Sequence, residues 1–308
     1  MKFKHHLHTI IAFSILLAAA ACSPAAAQPA PSPTPSPAPT LPPCDSTRTL
    51  TVGQLQRTYL LHIPPGLDGL QPVPLVFVFH GLTGSAETIQ TMSGFNEISD
   101  QFGFVVVYPN GFEQSWNGSG CCGEGVNQFI DDLSFVRQML ADLGTIVSVD
   151  PKRIYSTGFS NGAIFSYRLA CEMSDTFAAV APISGWLLTE PCQPQQPVSV
   201  MHVHGSNDDY AGALNRIMIK GHLTDVVFPA VEQGLAAWAQ LDGCGASPQV
   251  DEQLQGMVTH TAYAGCQAGS AVELYTFKNG GHTWPSPYAF PAFSSPGIWD
   301  FFKAHPKP

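Results

Sequence analysis

The pentad Gly158-Phe159-Ser160-Asn161-Gly162 is the stretch of this sequence best equipped for covalent chemistry. It follows the strand-like segment Arg153-Ile154-Tyr155-Ser156-Thr157 and precedes a helix-forming run at 163–171, so Ser160 falls on a sharp strand-to-helix turn that lifts its hydroxyl clear of the sheet. Two backbones must approach closely there, and glycines two residues before and two after the serine leave the room. The N–H groups that open the helix face any negative charge that develops beside the serine. This is the equipment of a nucleophile that attacks a carbonyl and is itself acylated. A serine hydroxyl attacks weakly until a base takes its proton, so a histidine and an orienting acid are needed as well.

Of the histidines after Ser160, His282 stands apart. It lies in Asn279-Gly280-Gly281-His282-Thr283-Trp284-Pro285, a glycine-rich loop directly after the last strand-like run, from which a base can reach the turn. Asp208 and Asp209, in the loop after the apolar run at 198–204, are both placed to orient it. His202 and His204 share one face of that strand and, with Asp208, imitate a metal site; buried hydrogen-bonded histidines are the reading adopted, and no metal or other cofactor is expected. Asp131 and Asp132 precede the serine and read as caps of the helix that follows them.

These residues need a frame. Residues 74–79 and 104–108 are continuous apolar runs, the pattern of strands buried on both faces, and shorter runs recur at 153–157, 178–183, 198–204 and 273–277. Residues 85–102 have helical character, and at 132–143 Leu133, Val136, Leu140 and Leu143 fall on one helical face. Strands separated by helices imply a mostly parallel sheet covered on both sides, with its chemistry beyond the carboxyl ends of the strands.

Phe79-His80-Gly81, Tyr108-Pro109-Asn110-Gly111, Trp116-Asn117, Cys121-Cys122, Asp131-Asp132, the serine pentad, His204-Gly205, Gly281-His282-Thr283-Trp284-Pro285 and Trp299-Asp300-Phe301-Phe302 together resemble the secreted polyhydroxybutyrate depolymerase and feruloyl esterase family of α/β-hydrolases. The resemblance spans nearly all of 44–308 and implies an α/β-hydrolase fold and a serine esterase, with Ser160 as nucleophile, His282 as base and Asp208 as acid. The backbone amides of Asn161 and Leu82 are the expected donors to a tetrahedral oxyanion. Trp116, Trp186 and Trp284, near strand ends, are expected to line a cleft for an aromatic acyl group, a sugar or a polyester chain. The competing class is a catalytically dead hydrolase-fold lipoprotein that binds carbohydrate; turnover of a simple ester separates the two.

Composition sets the setting. The chain has 308 residues, 44% of them hydrophobic and 12% charged, with a net charge of -10. That excludes a highly charged disordered protein, and without a run of Lys and Arg to displace counterions no nucleic-acid partner is expected. Residues 1–21 pair a basic start with an apolar run too short for a permanent membrane span, the pattern of an export signal. The run Ala19-Ala20-Ala21-Cys22 resembles a bacterial lipoprotein signal, which makes Cys22 a candidate lipid anchor at the cell surface; simple cleavage near Ala25-Ala26-Ala27, which would leave the protein extracellular, is the rival. Residues 22–43 form a Pro/Ala-rich linker that can extend about 65 Å. One catalytic domain at 44–308 is left. Eight cysteines fit an oxidising compartment; Cys244 with Cys266 is the pair expected to be bonded, while Cys171 and Cys192 have no evident partner.

Overall fold

The computed structural model describes residues 44–67, 69, 71–212, 214–219 and 222–308. The leader, the linker and Cys22 lie outside the described residues. Contacts divide the chain into 1–37 and Ala38–Pro308, and the second unit holds every described residue.

Along the chain the elements are β1 (Cys44–Val52), β2 (Leu55–Ile63), β3 (Val73–Phe79), α1 (Ala86–Ser93), α2 (Phe95–Phe102), β4 (Val105–Pro109), α3 (Glu124–Asn127), α4 (Asp132–Leu143), β5 (Val149–Phe159) and α5 (Asn161–Glu172). There follow β6 (Ala179–Ile183), β7 (Ser199–Gly205), β8 (Leu214–Ile219), β9 (His222–Val227), α6 (Val231–Leu241), β10 (Gln249–Gln253), β11 (Val258–Tyr263), β12 (Val272–Phe277) and α7 (Ser295–Ala304). Ten strands form one sheet in the order β1-β2-β4-β3-β5-β6-β7-β12-β11-β10. The six from β4 to β12 run parallel, and antiparallel strands extend both edges.

The continuous apolar runs are central strands because each face of the sheet has its own core. Val76 and Val78 of β3 join Phe95, Phe104, Trp299 and Phe302 on one side. Leu75, Phe77 and Phe79 join Phe135, Val136 and Phe165 on the other. The expected helix at 85–102 is two helices, because Gly94 closes α1 in a left-handed conformation (φ 61°) and α2 starts again at once. From β3 the chain steps outward to β4 and then back across β3 to β5. The carboxyl ends of β3 and β5 therefore flank the point where the strand order reverses, and a crevice opens there.

The two aspartates before α4 do different things. Asp131 is the cap, its carboxylate accepting from Ser134 N at 2.9 Å. Asp132 is no cap: it is fully buried, pairs with Arg57 of β2 at 2.8 Å and accepts from Asn117 N at 2.8 Å. Among the described residues three disulfides are formed: Cys244–Cys266 as expected, Cys171–Cys192, which sequence spacing left without partners, and the neighbours Cys121–Cys122.

Breaking a buried ion pair strands the surviving charge. Asp132→Ala should lower stability in urea unfolding by about 3–5 kcal/mol, whereas Asp131→Ala, which loses one cap, should lower it by about 1 kcal/mol.

Candidate active site

β5 delivers Ser160 on a backbone with φ 54° and ψ −116°, outside the comfortable range of an L-residue. Close contacts hold it there. A Cβ on Gly162 would lie 2.4 Å from the Phe79 carbonyl oxygen, and one on Gly158 would lie 2.5 Å from the Gly162 oxygen, so the start of α5 rests directly on the ends of β3 and β5. Ser160 N also donates to Ile183 O of β6 at 2.9 Å.

His282 arrives from the loop after β12, and Asp208 from the loop after β7. Their loops are joined: Asn207 N donates to Gly280 O at 2.8 Å, and Asn279 N to Ser206 Oγ at 2.9 Å. A Cβ on Gly205 would lie 2.2 Å from Gly280 O, which is why a glycine ends β7. The result is a continuous line. Ser160 Oγ lies 2.8 Å from His282 Nε2, and His282 Nδ1 lies 2.8 Å from Asp208 Oδ2. Since a carboxylate only accepts, His282 carries its proton on Nδ1 and leaves Nε2 free to accept from the serine. Asp208 Oδ1 accepts from Tyr210 N at 3.0 Å. Burial pushes the Asp208 carboxyl up, but His204, His282 and the Tyr210 amide more than offset it and hold it well below the usual carboxylate range. Asp209 is exposed, and the hydrogen bond to His282 Nδ1 is made by Asp208.

Behind Ser160 the loop after β3 is fixed by His80. Gly111 N donates to His80 Nε2 at 2.9 Å, so the ring proton is on Nδ1, which donates to Gly81 O at 2.7 Å. Burial lowers the His80 pKa to about 4, keeping the ring neutral. With the Gly81 carbonyl turned to the ring, the trans peptide sends the Leu82 N–H to the opposite side. Asn161 opens α5, so its N–H has no acceptor within the helix. Its side chain accepts from Trp116 N at 2.7 Å and donates to Trp116 O at 3.1 Å, fixing the neighbouring loop.

A cavity of about 540 Å³ opens over Ser160 and His282. Trp186 lines it, stacked on Phe228 with ring centroids 4.3 Å apart. Trp116 and Trp284 do not. Trp116 is fully buried between Phe79 and Phe165 and donates to His80 O at 3.0 Å. Trp284 packs on Phe95 and donates to Ser295 Oγ at 3.2 Å. Core acceptors take both indole N–H groups, so these rings support the site from below. Tyr210, Phe228 and the bonded Cys121–Cys122 pair also line the cavity and were not picked out as wall residues from the sequence. Tyr210 follows Asp208 closely enough to have been suspected, whereas nothing local marks Phe228.

The sequence profile of a family described as esterase PHB depolymerase matches residues 57–257. The chain belongs to that esterase family. Within it and around it, the chain is 30% identical over 305 residues to the putative esterase NocK of Nocardia uniformis subsp. tsuyamanensis, covering 89% of this chain and 88% of that protein. It is 29% identical to feruloyl esterase B of Piromyces equi over 73% of this chain, but spans only 42% of that relative's length. Poly(3-hydroxyalkanoate) depolymerase C of Paucimonas lemoignei is 27% identical over 73% of this chain and 58% of its own length. Among solved structures, the acetyl xylan esterase from Aspergillus awamori shares the α/β-hydrolase fold, with a TM-score of 0.58 at 17% identity over 84% of this chain and 99% of that one.

In this esterase the elbow glycines are constrained unequally with the glycine beside the histidine. Gly162→Ala should cost about 1–3 kcal/mol in thermal or urea unfolding, because backbone must move. Gly281→Ala, whose Cβ would meet nothing closer than Asn207 O at 3.9 Å, should unfold like the parent.

Proposed function

We propose that this chain is an exported serine carboxylic-ester hydrolase that works through Ser160, His282 and Asp208 by way of an acyl-enzyme. The observation that carries the reading is the hydrogen-bonded line from Ser160 through His282 to Asp208, with 2.8 Å at each step, opening on an apolar cavity. In the first step Ser160 Oγ attacks the ester carbonyl carbon while its proton passes to His282 Nε2. The carbonyl oxygen becomes an oxyanion and takes the N–H groups of Asn161 and Leu82, each worth about 3 kcal/mol in the transition state. The carbon–oxygen bond then breaks, His282 returns the proton to the departing alcohol, and the acyl group stays on Ser160. A water deprotonated by His282 Nε2 then attacks the acyl carbon, the bond to Ser160 Oγ breaks, His282 returns the proton to Ser160 Oγ, and the carboxylic acid leaves. Asp208 keeps His282 in the working tautomer and stabilises the imidazolium formed in each half.

The relatives' names point to two acyl classes, feruloyl and poly(3-hydroxyalkanoate). The Trp186–Phe228 stack gives the cavity a flat aromatic wall, and Trp186 lies nearly parallel to the His282 ring at 6.4 Å. A planar aromatic acyl group fits such a wall better than a short aliphatic one. In the whole protein, residues 1–21 direct export, Cys22 carries a lipid, residues 22–43 form a spacer and 44–308 form the catalytic domain.

Methyl ferulate should give a higher kcat/KM than hydroxybutyrate oligomers; the reverse order assigns the site to polyester. Ser160→Ala and His282→Ala should each remove several orders of magnitude of nitrophenyl ester turnover, and the double variant should be scarcely worse than either, because the residues act as a unit. Asp208→Asn should lower kcat on the order of 10⁴-fold with little change in thermal stability, while Asp209→Asn keeps most activity. Additive losses, or a crippled Asp209→Asn beside an active Asp208→Asn, would contradict these roles.

A further inference from the structure

Behind the candidate acid runs a line of buried polar side chains that ester hydrolysis does not itself require. Tyr167 of α5 lies with its hydroxyl 2.7 Å from His202 Nδ1, and His202 Nε2 lies 3.0 Å from His204 Nδ1. His204 Nε2 in turn lies 3.0 Å from Asp208 Oδ2, somewhat out of line for a straight hydrogen bond. All four side chains are at least nine-tenths buried. Apolar residues would fill this space without the cost of burying a phenol and two imidazoles. The line also ends on the oxygen that receives His282 Nδ1, so His204 and His282 share Oδ2.

We propose that Tyr167, His202 and His204 are positioning residues that feed one-way hydrogen-bond donation into Asp208 Oδ2 and so set how strongly that carboxylate holds His282. The proposal rests on the reading of Ser160, His282 and Asp208 as the catalytic line. Its direction follows from the acceptor at its end. A carboxylate cannot donate, so His204 presents N–H from Nε2. With one proton on each ring, His204 Nδ1 then accepts from His202 Nε2, and His202 Nδ1 accepts from the Tyr167 hydroxyl. Burial favours this state from both ends, raising the phenol pKa of Tyr167 and driving that of His202 well below its ordinary value. In a site withdrawn from water such donors polarise one another, and Asp208 presents less charge to His282 than a carboxylate bound to His282 alone. The titratable groups facing His282 are Asp208, Ser160 and Tyr210; His204 faces His202 and Asp208, and His202 faces Tyr167 and His204.

The test is the pH dependence of kcat/KM for nitrophenyl acetate, measured on the parent, His204→Leu, His204→Gln and Tyr167→Phe. Removing the His204 donor leaves Oδ2 to His282 alone, which strengthens its hold on the imidazolium. The acid limb should therefore move to higher pH, by about half a unit or more in His204→Leu, with KM little changed. Glutamine, which can still present an N–H near the same place, should bring the limb back, and Tyr167→Phe should move it the same way by less. Should His204→Leu not fold, Tyr167→Phe decides the matter through the low-field proton resonance of the His282–Asp208 hydrogen bond, which should shift. Unmoved limbs, a limb displaced to lower pH, or an unchanged resonance would overturn the proposal. His282→Ala separates the two levels: a limb that persists in it sinks the catalytic reading, while a limb lost there but unmoved by the Tyr167 and His204 variants sinks only the positioning chain.

Discussion

One backbone constraint organises the molecule: Ser160 must sit at φ 54° and ψ −116° at the end of β5. A conformation of this kind costs about 1–3 kcal/mol and persists only where its surroundings leave no alternative. Here the surroundings are the sheet itself. The Gly162 backbone touches the carbonyls that end β3, and Gly158 touches Gly162, so the turn is clamped between the two strands at which the order of the sheet reverses. The clamp needs β3 and β5 adjacent and parallel, with cores on both faces that admit no sliding. The continuous burial of β3 and the paired registers of β3, β5 and β6 meet that need.

The same clamp sets up the electrostatics. Asn161, the first residue past the turn, uses its side chain to fix the loop at Trp116. His80, neutral because it is buried, turns the Gly81 carbonyl inward and thereby directs the next N–H away from itself. Peptide dipoles fixed by groups that are themselves held would meet the condition for the proposed charge stabilisation without reorganisation during reaction. Asp208 and His282 reach the site from loops after β7 and β12, which lie side by side in the sheet. Their proximity is a property of strand order, and Gly205 records it in the sequence.

What could be read from the sequence follows what is local. The apolar runs of β3 and β4, the helical face of α4 and the strand-turn-helix around Ser160 each announce themselves within a dozen residues. That Ser160, the pair Asp208 and Asp209, and His282 fall in turns after strand-like runs was legible in the sequence, and the preference for Asp208 over Asp209 came from the resemblance to a family. Features that depend on distant partners were not legible. Asp132 resembles a cap until Arg57 is known to lie beside it. Trp116 and Trp284 sit near strand ends, as expected, yet face inward because core acceptors are waiting for their indole N–H groups. The edge strands β1, β2, β10 and β11 were missed as elements, since partly exposed segments carry a weaker signal than buried runs; β8, β9, α3, α6 and α7 were not named from the sequence either. That His202 and His204 share a face was visible from their spacing; that the face meets Tyr167 of α5 was not.

The central claim is that Ser160 is the residue acylated in turnover. The most direct measurement treats the purified protein with a nitrophenyl phosphonate ester, follows residual esterase activity, and locates the adduct by intact mass and peptide mapping. The account predicts one adduct per chain, on Ser160, formed in step with complete loss of activity. Full activity after labelling, or stoichiometric labelling of another residue with Ser160 unmodified, would contradict it.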